Sequence, residues 1–316
     1  MIKTTTKVAG VDTGKFRLDV AIAGGDAVSS FDNTPEGHRG LAAWLGRRGV
    51  VRVGIEASGG YERGPVEALR AKGFTVIVLQ PVQVRAYARF RRQWAKNDRL
   101  DAALIAACAA VTEPRDPRDP RVAAWSETLT FLEQIEEDLA RAKTRREAFR
   151  EPELRAALDE EIARLKTVRR GLIARIEAGL RKGEALARRL ELLLSIPGIG
   201  LRTALALLVH LPELGSLSRE AIAALAGLAP FDDDSGTRSG RRHIRGGRGR
   251  PRRAIYNAAL SAAYHWNPQL KAFYSRLRAT GKAHKPALVA TARKLLIYAN
   301  TVLARGTPWE AQPIAD

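Results

Sequence analysis

Two fold types are predicted within this one chain, an α/β unit at the amino end and an all-helical remainder. Three observations predict them. Short β-leaning runs alternate with a capped helix in the first part of the chain, and three closely spaced prolines (Pro114, Pro117, Pro120) then forbid continued helix. Beyond them apolar residues recur at three- and four-residue steps amid dense charge.

In order along the chain, Lys7 to Val11 and Arg17 to Ala23 read as strands, and Ala27 to Asp32 as a third before a turn. Thr34-Pro35-Glu36 has the form of an N-cap, a first-turn proline and an early acid, leading into a helix through Leu41, Trp44 and Leu45. Val50 to Ala57 and Phe74 to Leu79 are further strands, so residues 1–114 are expected to form an α/β domain. Val82 to Val111 reads as helix. Residues 115–190 hold the proline linker and then long amphipathic helices, marked by Leu129, Leu132, Ile135 and Leu139 and by Leu158, Ile162, Leu165, Leu172 and Ile176. The heptads are not strict, so an intramolecular hairpin broken near Pro152 and an intermolecular coiled coil are both compatible with the pattern. Residues 191–316 are helical around a Gly, Asp, Ser and Arg loop from Pro230 to Pro251, with helix resuming over Ala254 to Tyr264 and Lys285 to Leu303.

The 316 residues carry 53 Lys+Arg against 34 Asp+Glu, a formal charge of +19, which points to polyanionic partners and above all nucleic acid. Residues 191–316 alone hold 18 basic and 8 acidic residues. Hydrophobic content of 45% suffices for packed cores and argues against wholesale disorder. Cys108 stands alone, which excludes an intrachain disulfide and a cysteine-based zinc site. The opening MIKTTTKVAG lacks the apolar core of a signal peptide, and apolar runs such as Ala102 to Val111 fall short of the roughly 18 residues of a membrane span, so no membrane partner is expected.

Four acids stand out by position. Asp12 closes the strand VAGVD, Glu56 closes VRVGIE, and Asp98 and Asp101 lie in KNDRLDAALIA. Helical residues at i and i+3 share a face, so Asp98 and Asp101 can point at one place where strand-end carboxylates meet them. Such a cluster repels itself unless cations neutralise it. Mg²⁺ prefers hard oxygen donors, so one or two Mg²⁺ ions activating a nucleophile at phosphorus are the natural occupants. Taken singly, each acid is equally a turn former or part of a solvated face. Their order within an α/β domain is that of RNase H-like, Ruv-C-like nuclease folds.

A second motif, Ile196-Pro197-Gly198-Ile199-Gly200 between two helical runs, resembles the helix-hairpin-helix of DNA-binding proteins. Gly198 and Gly200 would let backbone N–H groups face a phosphate beside a helix N-terminus, and the alternative is a tight turn with no ligand. The third is the loop GLAPFDDDSGTRSGRRHIRGGRGRPRR. There Arg241, Arg242, Arg245, Arg248, Arg250, Arg252 and Arg253 follow Ser235 and Ser239. A serine becomes a nucleophile only where a base, metal or cationic cluster stabilises its alkoxide, and the plainer reading is a basic loop whose serines make turns.

VDTGK, GIEASGGY, the KNDRLDA helix, SIPGIG and GLAPFDDDSGTRSGRRHIRGGR, in this order, make the chain similar to the insertion-sequence-110 family of DEDD transposases, which includes the Piv-type DNA invertases. The likeness runs over nearly the whole chain. It implies a Ruv-C-like catalytic domain, a coiled-coil middle used in assembly, and a C-terminal transposase domain that contributes a nucleophilic serine. The family's acids correspond to Asp12, Glu56, Asp98 and Asp101, and its serine to Ser235, with Ser239 the poorer match. The resemblance further implies Mg²⁺, donor and target DNA, a noncoding bridge RNA as guide, phosphoserine intermediates, a homo-oligomer (dimer or tetramer) and a bacterial, cytoplasmic, nucleoid-associated setting. Two other readings fit the same residues: a Ruv-C-like junction resolvase that uses water in place of serine, and a non-catalytic nucleic-acid scaffold.

Overall fold

The β-leaning runs of the amino-terminal part pair into one mixed sheet in the computed structural model, which describes residues 7–25, 28–92, 98–114, 120–231 and 243–311. Its strands are β1 (Lys7–Thr13), β2 (Arg17–Ile22), β3 (Val28–Asp32), β4 (Val50–Glu56) and β5 (Thr75–Leu79), in the order β3-β2-β1-β4-β5. β2 is antiparallel to β1 and β3, whereas β1, β4 and β5 run parallel. This mixed five-stranded arrangement fits the RNase H-like expectation.

Between β3 and β4 lies α1 (Pro35–Arg47), started by Thr34, whose hydroxyl accepts from the Gly37 N–H at 3.2 Å, with Pro35 in the first turn. α2 (Arg63–Ala71) joins the parallel pair β4 and β5. Strand alternation then sorts side chains onto two faces. Ala9, Val11, Val53 and Ile55 pack with Leu41, Leu45 and Leu69 of α1 and α2, while Val8, Ile77 and Leu79 pack on the other face with Val84, Ile105, Cys108 and Ala109.

That second face is covered by α3 (Pro81–Phe90) and α4 (Asp98–Val111), which corrects the single helix expected from Val82 to Val111. α3 ends where Arg92 takes a left-handed backbone (φ +53°), a conformation that breaks helical hydrogen bonding in a way its side chain does not advertise. Residues 93–97 lie outside the described residues.

By Cα proximity the chain divides into two units, Met1–Pro117 and Arg118–Asp316. The second opens with α5 (Pro120–Ala148) and α6 (Pro152–Arg181), which pair as an antiparallel hairpin turning just before Pro152. The pairs Glu136–Arg169 (3.0 Å) and Arg146–Asp159 (2.9 Å) set its register. Ile135, Leu139 and Ala142 meet Ile162, Leu165 and Val168 along the outer half, so the amphipathic stripes satisfy one another within the chain. Residues of the inner half, Leu129, Leu132, Ile176 and Leu180, are fully buried, each worth roughly 1.5–3 kcal/mol. They share one core with α7 (Glu184–Leu194), α8 (Leu201–His210), α9 (Arg219–Leu225), α10 (Gly249–Ser261), α11 (Pro268–Ala279) and α12 (His284–Arg305). Residues 115–190 and 191–316, which composition sets apart, are thus joined by a common core.

The loop expected from Pro230 to Pro251 is structured at both ends. β6 (Pro230–Phe231) pairs with β7 (His243–Ile244), and α10 already begins at Gly249, with Pro251 in its first turn. α10 ends in a π-helical turn over Ala262–Trp266. α12 is long and apolar enough, by length and composition, to cross a membrane (mean hydropathy 1.2), contrary to the expectation that no segment reaches that length. Half of that stretch is buried in the helical unit, with Leu288, Leu295 and Leu296 in its core, which is how a central core helix of a globular unit looks.

Candidate active site and nucleic-acid interface

Asp12 and Glu56 end neighbouring parallel strands. The register pairs Gly10 with Gly54 and Val11 with Ile55, and the next residues in each strand are Asp12 and Glu56. Asp12 follows Gly10 by two residues, as Glu56 follows Gly54, so both acids belong to the sheet face that α4 covers.

α4 comes unusually close there. A Cβ on Gly10 would lie 2.2 Å from the Ala102 carbonyl oxygen and the Ala106 nitrogen, and one on Gly54 would lie 2.5 Å from the Ala109 Cβ. The Ala110 carbonyl accepts from Arg52, near the start of β4. The helix therefore runs from the carboxyl ends of the strands toward their amino ends, and its first turn, Asp98 to Asp101, arrives beside Asp12 and Glu56. Asp101 precedes the buried Ile105 by four residues, on the same stripe, and Asp98 stands one turn before Ala102. Asp12, Glu56 and Asp101 are each part-exposed; the Asp98 side chain lies outside the described residues.

Two loops rise from this edge, and one side chain ties them together. Asn33 donates to the Gly14 carbonyl (2.9 Å), after β1, and to the Tyr61 carbonyl (3.1 Å), after β4. Its amide oxygen faces the His38 Nε2 at 2.7 Å, and burial lowers the His38 pKa. The Glu62 carboxylate accepts from the Ser58 and Gly60 N–H groups and closes the second loop. Neither Asn33 nor Glu62 stood out in the sequence, where an Asn before Thr34 is merely a turn residue.

The part-exposed carboxylates of Asp12 and Glu56 at the strand ends and of Asp101 in the first turn of α4 are hard oxygen donors of the kind a divalent cation takes. Thr13 Oγ1 and Ser58 Oγ, on residues adjoining that edge, are buried without a hydrogen-bond partner among the described residues. In donor type the edge fits a divalent ion. Among the described residues, however, no three His, Cys, Asp or Glu side chains stand together closely enough to hold one, so the described residues do not by themselves make a metal site.

In the helical unit the glycine turn joins α7 to α8. Gly198 has φ +99°, and a Cβ there would lie 2.4 Å from the Ala262 Cβ, so its missing side chain is required by packing. Asn267 donates to the Pro197 carbonyl at 3.2 Å. Gly200, by contrast, is exposed with open space where a Cβ would be, at the N-cap of α8.

Ser235, Ser239, Arg241 and Arg242 lie outside the described residues. Of the remaining five arginines, four are engaged by the protein itself. Arg248 forks onto the Glu213 carboxylate, both bonds at 2.6 Å, and donates to the His210 carbonyl. Arg252 donates to the Gly246 and Gly227 carbonyls. Arg250 reaches Thr130 and Glu133 on α5, and Arg253 reaches Glu137. Arg245 is exposed and makes no ion pair among the described residues. Glu133 anchors this network through His210 (3.2 Å) and Arg202. Burial opposes its charge, but the hydrogen bond and charge of His210 and the charges of Arg250 and Arg202 outweigh that and hold its carboxyl below the usual carboxylate range.

Comparison with known proteins agrees with this architecture. A family model for DEDD transposases of the IS110 type, described as a transposase, matches residues 9–167, and one described as "Transposase IS116/IS110/IS902 family" matches residues 190–275. The pilin gene-inverting protein of Moraxella bovis is 26% identical over 315 residues, covering 95% of this chain and 97% of that protein. A protein of insertion element IS110 from Streptomyces coelicolor is 37% identical over 146 residues, 46% of this chain and 35% of its own. With a family model spanning half its length, and the strand-end acids and glycine turn standing inside the two matched regions, the chain belongs to the IS110 family of DEDD transposases, enzymes that cut and rejoin DNA and as a class work with a divalent metal.

Proposed function

We propose that this transposase is a Mg²⁺-dependent recombinase in which Asp12, Glu56, Asp98 and Asp101 hold the metal and Ser235 is the nucleophile toward DNA. One observation carries the reading: Asp12 and Glu56 end adjacent parallel strands in register, where α4 brings in its first turn. Bound Mg²⁺ would supply charge neutralisation and Lewis acidity at phosphorus.

The Ser235 hydroxyl attacks the scissile phosphate. A Ser Oγ–P ester forms as one P–O bond to a sugar breaks, and the serine proton ends on the released sugar hydroxyl. Ester energy is conserved in that exchange, so a second sugar hydroxyl can reverse it on a different strand, which is recombination without an external energy source. Arg241, Arg242 and Arg245 steady the charge on the phosphate, and the Gly198–Gly200 turn holds backbone. Arg248, Arg250, Arg252 and Arg253 shape the frame behind them through their protein partners. A noncoding bridge RNA guides the choice of DNA, and a homo-oligomer, dimer or tetramer, combines two protomers at each active site in the bacterial cytoplasm.

The test is a denaturing gel for a covalent protein–DNA adduct. Wild type is expected to form it, and Ser235→Ala and Asp12→Asn to lose it. An adduct from Ser235→Ala would remove the serine from the mechanism. DNA cleavage without any adduct would assign the protein to water-using resolvase chemistry, and sequencing of co-purified RNA reads out the guide.

A further inference from the structure

The α5–α6 hairpin, α8 and α10 enclose a groove of about 1050 Å³. That is already at the upper end of small-molecule pockets, roughly 300–1,000 Å³. Among its lining residues seven are basic and three acidic, a surplus of four positive charges.

The charges are not mixed evenly. Toward α8 the three acids are consumed: Glu133 by His210, Arg202 and Arg250, Glu136 by Arg169 and Arg202, and Glu137 by Arg253. Lys143 on α5 and Lys166 on α6, farther out along the hairpin, and Arg170, next to Arg169, are exposed and have no ion pair among the described residues. Lys166 and Arg170 stand at i and i+4, where like charges repel along one helix face. An anion along the groove relieves that repulsion. Among the described residues no aromatic side chain lines it, so those residues offer no stacking surface for bases. Arg202 and Thr203, in the first turn of α8, line the groove and follow the Gly198–Gly200 turn in sequence.

We propose that this groove is a second DNA contact, a sequence-independent track in which Lys143, Lys166 and Arg170 bind successive phosphates of a duplex backbone, since a wall without stacking surface suits paired bases and the family acts on DNA. The proposal rests on the recombinase reading and extends it to residues outside the acids, the serine and the arginine loop.

The test compares the full-length protein with a Lys143→Gln/Lys166→Gln/Arg170→Gln variant. Anisotropy titrations against a generic 30-base-pair duplex and a structured RNA of matching length are repeated over a range of salt. Loss of three phosphate contacts is expected to reduce the slope of log K against log salt by about 3 and to weaken binding at least about tenfold near 0.1 M salt. A slope change with the duplex supports the proposal, and one confined to the RNA overturns it. A Lys143→Arg/Lys166→Arg/Arg170→Lys variant should keep the wild-type slope. An unchanged slope in the neutralised variant overturns the proposal, as does an equal change in a Lys182→Gln/Lys271→Gln/Lys285→Gln control. Acylation of lysines in the wild type gives a reading independent of folding, with bound nucleic acid expected to protect Lys143 and Lys166 but not Lys182. Failure of the wild type itself to bind either nucleic acid would instead overturn the recombinase reading.

Discussion

At the carboxyl edge of the sheet, Asp12 and Glu56 are positioned by packing that leaves no spare volume, since Gly10 and Gly54 admit the α4 backbone where a methyl group would collide with it. In the helical unit, the arginines at 248, 250 and 253 are positioned by carboxylates on Glu213, Glu133 and Glu137 instead. The two regions therefore fail in different ways. A close apolar joint resists salt and pH but tolerates no added atoms, because interiors are packed as tightly as crystals. An ion-pair frame absorbs changes of volume, yet depends on every carboxylate staying charged.

The largest effect is expected from Gly10→Val. The added side chain would force α4 off the sheet, lowering the stability of the sheet unit by about 3 kcal/mol or more and abolishing DNA product. Hydrogen exchange at β1 and β4 amides measures it, and wild-type protection in the variant would show that volume is not the constraint.

Glu133→Gln should follow, at about 2–3 kcal/mol in the helical unit, because Arg250 and His210 would lose their shared carboxylate and Arg202 would be left with Glu136 alone. Protection of α8 amides reads this, and the sheet unit should be unaffected. Asn33→Ala should destabilise the sheet unit by only about 1–2 kcal/mol, the value of its lost hydrogen bonds. DNA product should fall by more than that loss accounts for, since the two loops flanking the acids are no longer tied. A drop in stability with undiminished product would make Asn33 a purely structural residue.

The smallest effect is in pH. His38 is buried with its pKa lowered, so the unfolded chain binds more protons, and the sheet unit loses stability as pH falls below about 6.5, the ordinary histidine value. Glu133 is also lowered, so its contribution is present above about pH 4.3 and is lost as pH falls through its folded value. Acidification from pH 7 to 5 should thus weaken the sheet unit first. His38→Gln should flatten that slope, and identical pH profiles for variant and wild type would remove His38 as its cause.

Much of this was legible in advance. The apolar, β-leaning runs VAGVD and VRVGIE marked both strands and both terminal acids, and Pro114, Pro117 and Pro120 marked the end of the first unit. The stop after Phe90 was not legible, because Arg92 is not a residue type that announces a left-handed backbone. Nor was the engagement of the arginines. A run such as RRHIRGGRGRPRR looks like free positive charge until Glu133 and Glu137, more than a hundred residues earlier, are brought against it. Lys143, Lys166 and Arg170 follow a visible helical spacing, but only the pairing of α5 with α6 turns them into one wall.

Local rules, β-leaning runs, caps and prolines, sufficed to set most of the elements, their order and the strand-end location of the acids, because each depends on a few adjacent residues. Tertiary structure alone decided the register that places Asp12 beside Glu56, the arrival of α4 at that edge, and which positive charges are met by carboxylates among the described residues. Those outcomes depend on which distant surfaces meet, and the energy of an ion pair or a close contact exists only once the two partners share one place.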